Sequence, residues 1–109
     1  MTIQFNTDSN INGTEEFTAP LHHLIEDELR KFSAQITRIE VHLSDEDGDK
    51  DGLKTKRCLL EARLSGMNPI AVSCQSETEE QALSEALGKL KSSLETIVGR
   101  LANQSKSPR

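Results

Sequence analysis

The stretch of sequence that decides the fold of this 109-residue chain runs from Arg38 to Leu90. It contains three alternating segments, RIEVHLS at 38–44, RCLLEARL at 57–64 and PIAVSC at 69–74, followed by a helical pattern. Strict alternation of apolar and polar residues predicts strands with one buried face, and apolar residues at helical spacing predict a helix packed against that face. The order over this stretch is therefore β-β-β-α.

The apolar side chains of the three predicted strands should all point to one side of the sheet. The inward set is Ile39, Val41 and Leu43, then Cys58, Leu60, Ala62 and Leu64, then Ile70, Val72 and Cys74. A three-residue turn over Gly66, Met67 and Asn68 would set Leu64 opposite Ile70. In this register the apolar faces of the two strands coincide, as a sheet with one buried face requires.

One strand and one helix precede this stretch. Residues 2–6 form a short predicted strand with Ile3 and Phe5 on one face. Thr18 is the predicted N-cap of the helix, because threonine favours that position and Pro20 is tolerated in the first turn. The apolar stripe of this helix is Leu21, Leu24, Ile25, Leu29 and Phe32.

The last helix begins at Thr78, where Thr78-Glu79-Glu80-Gln81 has the spacing of a capping box. Its apolar stripe is Leu83, Ala86, Leu87, Leu90, Leu94, Ile97, Val98 and Leu101. The predicted fold class is α+β with the order β-α-β-β-β-α, in which two helices pack on one face of a four-stranded sheet, as in double-stranded-RNA-binding domains. We expect residues 1–102 to form a single domain and residues 103–109 to form a flexible C-terminal tail.

Charge is unevenly distributed along the chain, whose net charge is −5. Residues 45–51 hold five acidic residues and one lysine, and from Lys89 onward there are five basic residues and one acid. The chain has only three Phe, no Tyr and no Trp, which argues against reading single-stranded RNA by stacking bases on aromatic rings. The surface is predicted to be polarised rather than uniformly acidic.

Targeting signals are lacking in the sequence. No apolar run is long enough to cross a membrane, and the first residues lack the basic start and apolar core of a signal peptide. Two cysteines without a secretory signal indicate free thiols in a reducing cytosol. We therefore expect a cytoplasmic protein.

The sequence contains no complete metal-binding or catalytic motif. Residues 47–52 match the first half of a calcium-binding EF-hand loop, but its twelfth position, a bidentate Glu in such loops, is Cys58, and the flanks are predicted strands. The other possible ligands show no zinc-site spacing; they are His22, His23, His42, Cys58 and Cys74. The sequence has no Gly-rich phosphate loop and no nucleophile elbow. We expect no enzyme activity, no metal, no cofactor and no small-molecule substrate.

The basic residues carry the functional prediction. On the last helix Lys89 and Arg100 lie at the two ends of one polar stripe, and Arg30 and Lys31 close the first helix. If the helices lie side by side, these cations could form a groove for a phosphate backbone. The alternative is a solvated surface whose cations balance the helix dipoles.

This β-β-β-α order, preceded by a strand and a helix, resembles that of the ribosome hibernation-promoting factors. This family is also called ribosome-associated inhibitors or ribosomal subunit interface proteins. The resemblance lies in the helix headed by Thr18, Arg38-Ile39, the charged hairpin loop, the strand 61–64, and the helix headed by Thr78 with Lys89-Leu90. It implies the short form of the family, without the extra C-terminal domain of longer members. It also implies a non-enzymatic protein that binds the small ribosomal subunit in the mRNA–tRNA channel and idles ribosomes under stress or in stationary phase.

The resemblance also implies contacts to ribosomal RNA by particular cations. Lys31, Arg38 and Lys89 match basic positions of the family, and Arg100 matches one near the helix end. The full predicted RNA-binding set is Lys31, Arg38, Arg57, Arg63, Lys89, Lys91 and Arg100. Where the family often has a Lys- and Arg-rich segment this chain has residues 92–98, so fewer cations predict weaker or more salt-sensitive binding.

We expect a monomer or weak dimer. The alternative function is a protein-interaction module that has kept the fold without RNA binding.

Overall fold

In a computed structural model, the described part of the chain forms a four-stranded sheet and two helices. The model describes residues 1–8, 11, 13–45 and 55–106, with backbone alone for 101–106. In order, the elements are β1 (Thr2–Thr7), α1 (Glu15–Glu28), a 3₁₀ turn (Arg30–Phe32), β2 (Ile36–Asp45), β3 (Lys56–Leu64), β4 (Ile70–Ser76) and α2 (Glu79–Lys106). The predicted α+β order β-α-β-β-β-α is confirmed. The division into a domain at 1–102 and a tail at 103–109 stays a prediction.

The strands are arranged in the order β1-β2-β3-β4. β1 runs parallel to β2, so α1 crosses over between them, and the pairs β2–β3 and β3–β4 are antiparallel hairpins. The predicted acidic loop falls between β2 and β3. Apart from Asp45 it lies outside the described residues, as do the EF-hand-like positions 47–52.

The register predicted for β3 and β4 was wrong by two residues. Ile70 lies opposite Ala62 instead of Leu64, and Val72 lies opposite Leu60. The turn is centred on Ser65 and Gly66: the Met67 N–H donates a hydrogen bond to the Leu64 carbonyl at 3.5 Å, and Gly66 adopts φ 72°, a left-handed conformation that glycine allows. A shift of two residues leaves each side chain on its original face, so the predicted buried face is nonetheless correct.

The start of α1 also differs from the prediction. Thr14 is the N-cap, with extended backbone and a side-chain oxygen that accepts a hydrogen bond from the Phe17 N–H at 3.4 Å. Thr18 lies inside the helix, where its hydroxyl donates to the Glu15 carbonyl at 3.5 Å. The prediction favoured Thr18 because it placed Pro20 in the first turn, whereas Pro20 lies further inside.

The cap of α2 is as predicted, since the Thr78 hydroxyl accepts a hydrogen bond from the Gln81 N–H at 3.1 Å. The core lies between this helix, α1 and the inner face of the sheet. It contains Leu21, Ile25, Leu29, Phe32, Ile39, Val41, Leu43, Cys58, Leu60, Ala62, Leu83, Leu87, Leu90 and Leu94. Beyond Leu94 the helix packs less closely against the core, since Ile97 and Val98 are only partly buried. Within the described residues no helix is both long and apolar enough to cross a membrane.

Candidate nucleic-acid interface

Two ion pairs join the C-terminal end of α1, and the 3₁₀ turn that follows it, to the middle of α2. Arg30 and Lys31 lie in this 3₁₀ turn and not in the last turn of α1 as predicted. Lys91 Nζ lies 3.1 Å from Glu28 Oε1, and Lys31 Nζ lies 3.0 Å from Glu95 Oε2. Residue numbers rise together in the two pairs, so the helices run parallel and side by side. The structure therefore brings Lys31 and Lys91 into one interhelical seam, whereas the groove expected from the sequence combined Lys31 with Lys89 and Arg100.

The cations in this seam are accessible but already paired. The Lys31 side chain is 62% exposed, and its ammonium also lies 5.1 Å from the centroid of the Phe32 ring. The Lys91 side chain is 34% exposed. Exposed ion pairs of this kind contribute little to stability, and a phosphate oxygen can replace a carboxylate as the partner of the ammonium.

Lys89 does not join Lys31 and Lys91. Its ammonium lies on another side of α2, where it donates a hydrogen bond to the Ser73 carbonyl of β4 at 3.0 Å. Arg100 is exposed and follows Lys89 by eleven residues, which returns to nearly the same side of a helix. The cations of α2 thus occupy two sides, one towards α1 and one above the edge of β4.

The remaining predicted cations lie on the outer face of the sheet, away from both helices. Arg38 and Arg63 are directly opposite each other on β2 and β3, and Arg57 is exposed further along β3. The Nε atoms of Arg38 and Arg63 lie 3.2 and 3.4 Å from Glu40 Oε2. The seven predicted residues therefore form two sets, separated by the thickness of the sheet. The helix set is Lys31, Lys89, Lys91 and Arg100, and the sheet set is Arg38, Arg57 and Arg63.

A histidine and two carboxylates lie between the arginines of the sheet set. Glu40 and Glu61 are cross-strand partners, and His42 Nε2 lies 2.9 Å from Glu61 Oε1 and 3.8 Å from Glu40 Oε1. The ligand atoms of the three residues lie within 4.8 Å of one another, a spacing that could hold a metal ion. Pairing of Glu40 with Arg38 and Arg63 accounts for the same arrangement, so we assign it to a cross-strand charge network.

The two cysteines are free and directly opposite each other on β3 and β4. Cys58 is fully buried and Cys74 half-buried. Burial, and secondarily the neighbouring Cys74 thiol, raises the pKa of Cys58 to about 12. A thiol with this pKa stays protonated and acts as a small apolar residue at neutral pH.

Sequence reasoning missed the acidic partners of the predicted cations. Glu28 and Glu95 neutralise Lys91 and Lys31 across sequence separations of 63 and 64 residues. No local pattern reveals such pairs, since only the parallel packing of α1 and α2 brings them together. The charge of the seam is therefore lower than a count of its lysines indicates.

Comparisons with known proteins agree with this architecture. The family model described as sigma 54 modulation protein / S30EA ribosomal protein matches residues 9–102. A search of curated protein sequences finds no match.

Solved structures that share the fold include two proteins of low sequence identity. A ribosomal subunit interface protein from Coxiella burnetii is 20% identical, with a TM-score of 0.66 over 91% of this chain and 99% of that one. The N-terminal domain of Protein Y from Thermus thermophilus is 16% identical, with a TM-score of 0.64 over 89% of this chain and 99% of that one. Since the family model covers most of the chain, this protein belongs to the sigma 54 modulation protein / S30EA ribosomal protein family.

Proposed function

We propose that this protein binds the small ribosomal subunit through ribosomal RNA, within the mRNA–tRNA channel, and holds ribosomes idle during stress or stationary phase. The observation that carries the proposal is the family match over residues 9–102. The similar fold from Coxiella burnetii belongs to a protein described as a ribosomal subunit interface protein, which supports the same partner.

The geometry of the helix set supports an RNA contact. Lys31 and Lys91 line the seam between α1 and α2, and Lys89 and Arg100 extend along another side of α2. A phosphate backbone that approaches the seam would exchange the carboxylates of Glu28 and Glu95 for phosphate oxygens. Because each exchange starts from an existing ion pair, the net gain in binding free energy per lysine is small. Binding through phosphate contacts still weakens as the salt concentration rises.

The proposed mechanism is steric. A folded domain held in the channel excludes mRNA and tRNA without any chemical step, so no catalytic group, cofactor or small-molecule substrate is required. The proposed place of action is the cytoplasm, where ribosomes translate, and the proposed active species is a monomer or weak dimer.

Co-sedimentation with separated ribosomal subunits tests the proposal. We expect the protein to pellet with the small subunit at about 50 mM salt and much less at about 200 mM. Two variants with the same change in charge separate the two sets of cations: Lys89→Glu with Arg100→Glu for the helix set, and Arg57→Glu with Arg63→Glu for the sheet set.

Loss of binding in the first variant, with retention in the second, assigns the contact to α2. The reverse outcome assigns it to the outer sheet face. Binding that neither variant changes would rule out the four substituted residues as contacts. Absence of binding by the unmodified protein at both salt concentrations would refute the function itself.

A second candidate function is a protein-interaction module that does not bind RNA. The ion pairs of Lys31 and Lys91 favour it, because they leave the seam close to neutral. The same experiment separates the candidates, since such a module would not pellet with either subunit at low salt.

A further inference from the structure

The N-terminal ends of α1 and α2 border an open cleft at the opposite end of the helix pair from the seam. Phe17, Pro20 and Leu21 supply its apolar lining, and the cleft has a volume of about 330 Å³. This volume is near the lower limit for ligand pockets, about 300 Å³, so it suits one inserted side chain better than a whole cofactor.

The rim of the cleft is acidic on both sides. Glu16 borders it from α1, and Glu79 and Glu80 border it from α2. The sequence contains no Lys or Arg before Arg30 and none between Arg63 and Lys89. Neither helix therefore supplies a cation from the turns that surround the cleft.

The helix dipole explains only part of this arrangement. A carboxylate in the first turn stabilises each helix separately, wherever that helix is placed. It does not account for an apolar lining between the two acidic turns, where Phe17 is half-buried and Pro20 is exposed. The same carboxylates disfavour an anionic ligand, which would otherwise be attracted to the amide groups at a helix N-terminus.

We propose that this cleft is a docking site for a basic peptide segment of another protein, with an apolar side chain inserted between α1 and α2 and flanking Lys or Arg residues on the acidic rim. Charge complementarity selects this occupant, because the rim offers three carboxylates and the lining offers no cation. The contact lies apart from the helix set of cations, so a peptide and RNA could be bound together.

The test uses the intact protein and two fluorescent nonapeptides that differ only in charge. One alternates arginine and leucine, and the other alternates glutamate and leucine. Fluorescence anisotropy at about 50 mM salt gives the affinities, and amide chemical shifts locate the contact. We expect binding of the arginine peptide alone, with shifts concentrated at Phe17, Leu21 and Glu79.

The variant Glu16→Gln with Glu80→Gln removes two rim charges and should lower the affinity for the arginine peptide about 25-fold. This corresponds to about fivefold, or roughly 1 kcal/mol, per carboxylate. The matched control is Glu26→Gln with Asp27→Asn, which removes two exposed charges from α1 outside the cleft and should change the affinity less than twofold. Circular dichroism checks that both variants keep their helices.

Equal binding of both peptides, equal loss in both variants, no binding, or shifts outside the cleft would each overturn the proposal. Concentration-dependent self-association that the rim variant abolishes would also overturn it, because the occupant would then be a second copy of the chain. Ribosome binding is measured in a separate experiment. A negative peptide-binding result therefore does not contradict the proposed function, and a negative co-sedimentation result does not contradict peptide binding in the cleft.

Discussion

Removing the acidic partners of Lys31 and Lys91 should strengthen ribosome binding. The change is Glu28→Gln with Glu95→Gln, which keeps the size of each side chain and removes its charge. Each carboxylate lies 3.0 or 3.1 Å from its lysine ammonium. A phosphate bound to the same ammonium would therefore lie about 6 Å from the carboxylate, and the two negative charges would repel each other by roughly 0.7 kcal/mol in a water-like dielectric.

That repulsion corresponds to about a threefold change in affinity for each glutamate and about tenfold for both. The free energy of unfolding should change little, because Glu28 and Glu95 are 42% and 56% exposed and exposed ion pairs contribute about 0–1 kcal/mol. The measurement is the dissociation constant for isolated small subunits between about 50 and 200 mM salt. We also expect a steeper dependence on salt, since two lysines become free to neutralise phosphates.

The control is Glu15→Gln with Glu77→Gln, which makes the same change in net charge among exposed residues near the N-terminal ends of the helices. It should alter binding much less than the seam variant. If the two variants strengthen binding equally, the effect comes from net charge alone, and the seam has no special role. If the seam variant binds no better than the unmodified protein, the lysines of the seam do not contact RNA.

Three further predictions concern the fold. Thr14→Ala should lower the free energy of unfolding by about 1 kcal/mol in urea denaturation and Thr18→Ala by clearly less, because only Thr14 caps α1; equal losses would contradict the assigned helix start. The pKa of Cys58 is raised by burial from 9.0 to about 12. Its contribution to the free energy of unfolding should therefore be fully present below pH 9 and should decrease between pH 9 and 12, because the thiol ionises at a lower pH in the unfolded chain than in the folded one. Cys58→Ala should flatten that decline in thermal melts taken across this range, and an unchanged slope would refute the cause. The Asp45 side chain is 5% exposed, and its Oδ2 lies 2.6 Å from Lys56 Nζ. Asp45→Asn should therefore lower the free energy of unfolding in urea by about 2 kcal/mol. A loss below about 0.5 kcal/mol would show that the pair is dispensable.

The strands and their buried face could be predicted from local sequence. Side chains on a strand alternate between faces, so Val41, Leu60 and Ala62 identify the inner face without reference to any distant residue. The same argument applies to α2, whose apolar stripe includes Leu90 and Leu94, both fully buried. These features survived the error in register because a two-residue shift preserves the face.

Tertiary structure decided the features that depend on residues far apart in the chain. The pairing of Lys31 with Glu95 and of Lys91 with Glu28 arises only because α1 and α2 pack in parallel. The same packing brings Phe17 of α1 and Glu79 of α2 into the lining of one cleft. Periodicity along one segment determines which face of that segment is buried, because it depends on backbone geometry alone. The electrostatic character of a surface depends on which segments meet there, and that is a property of the assembled fold.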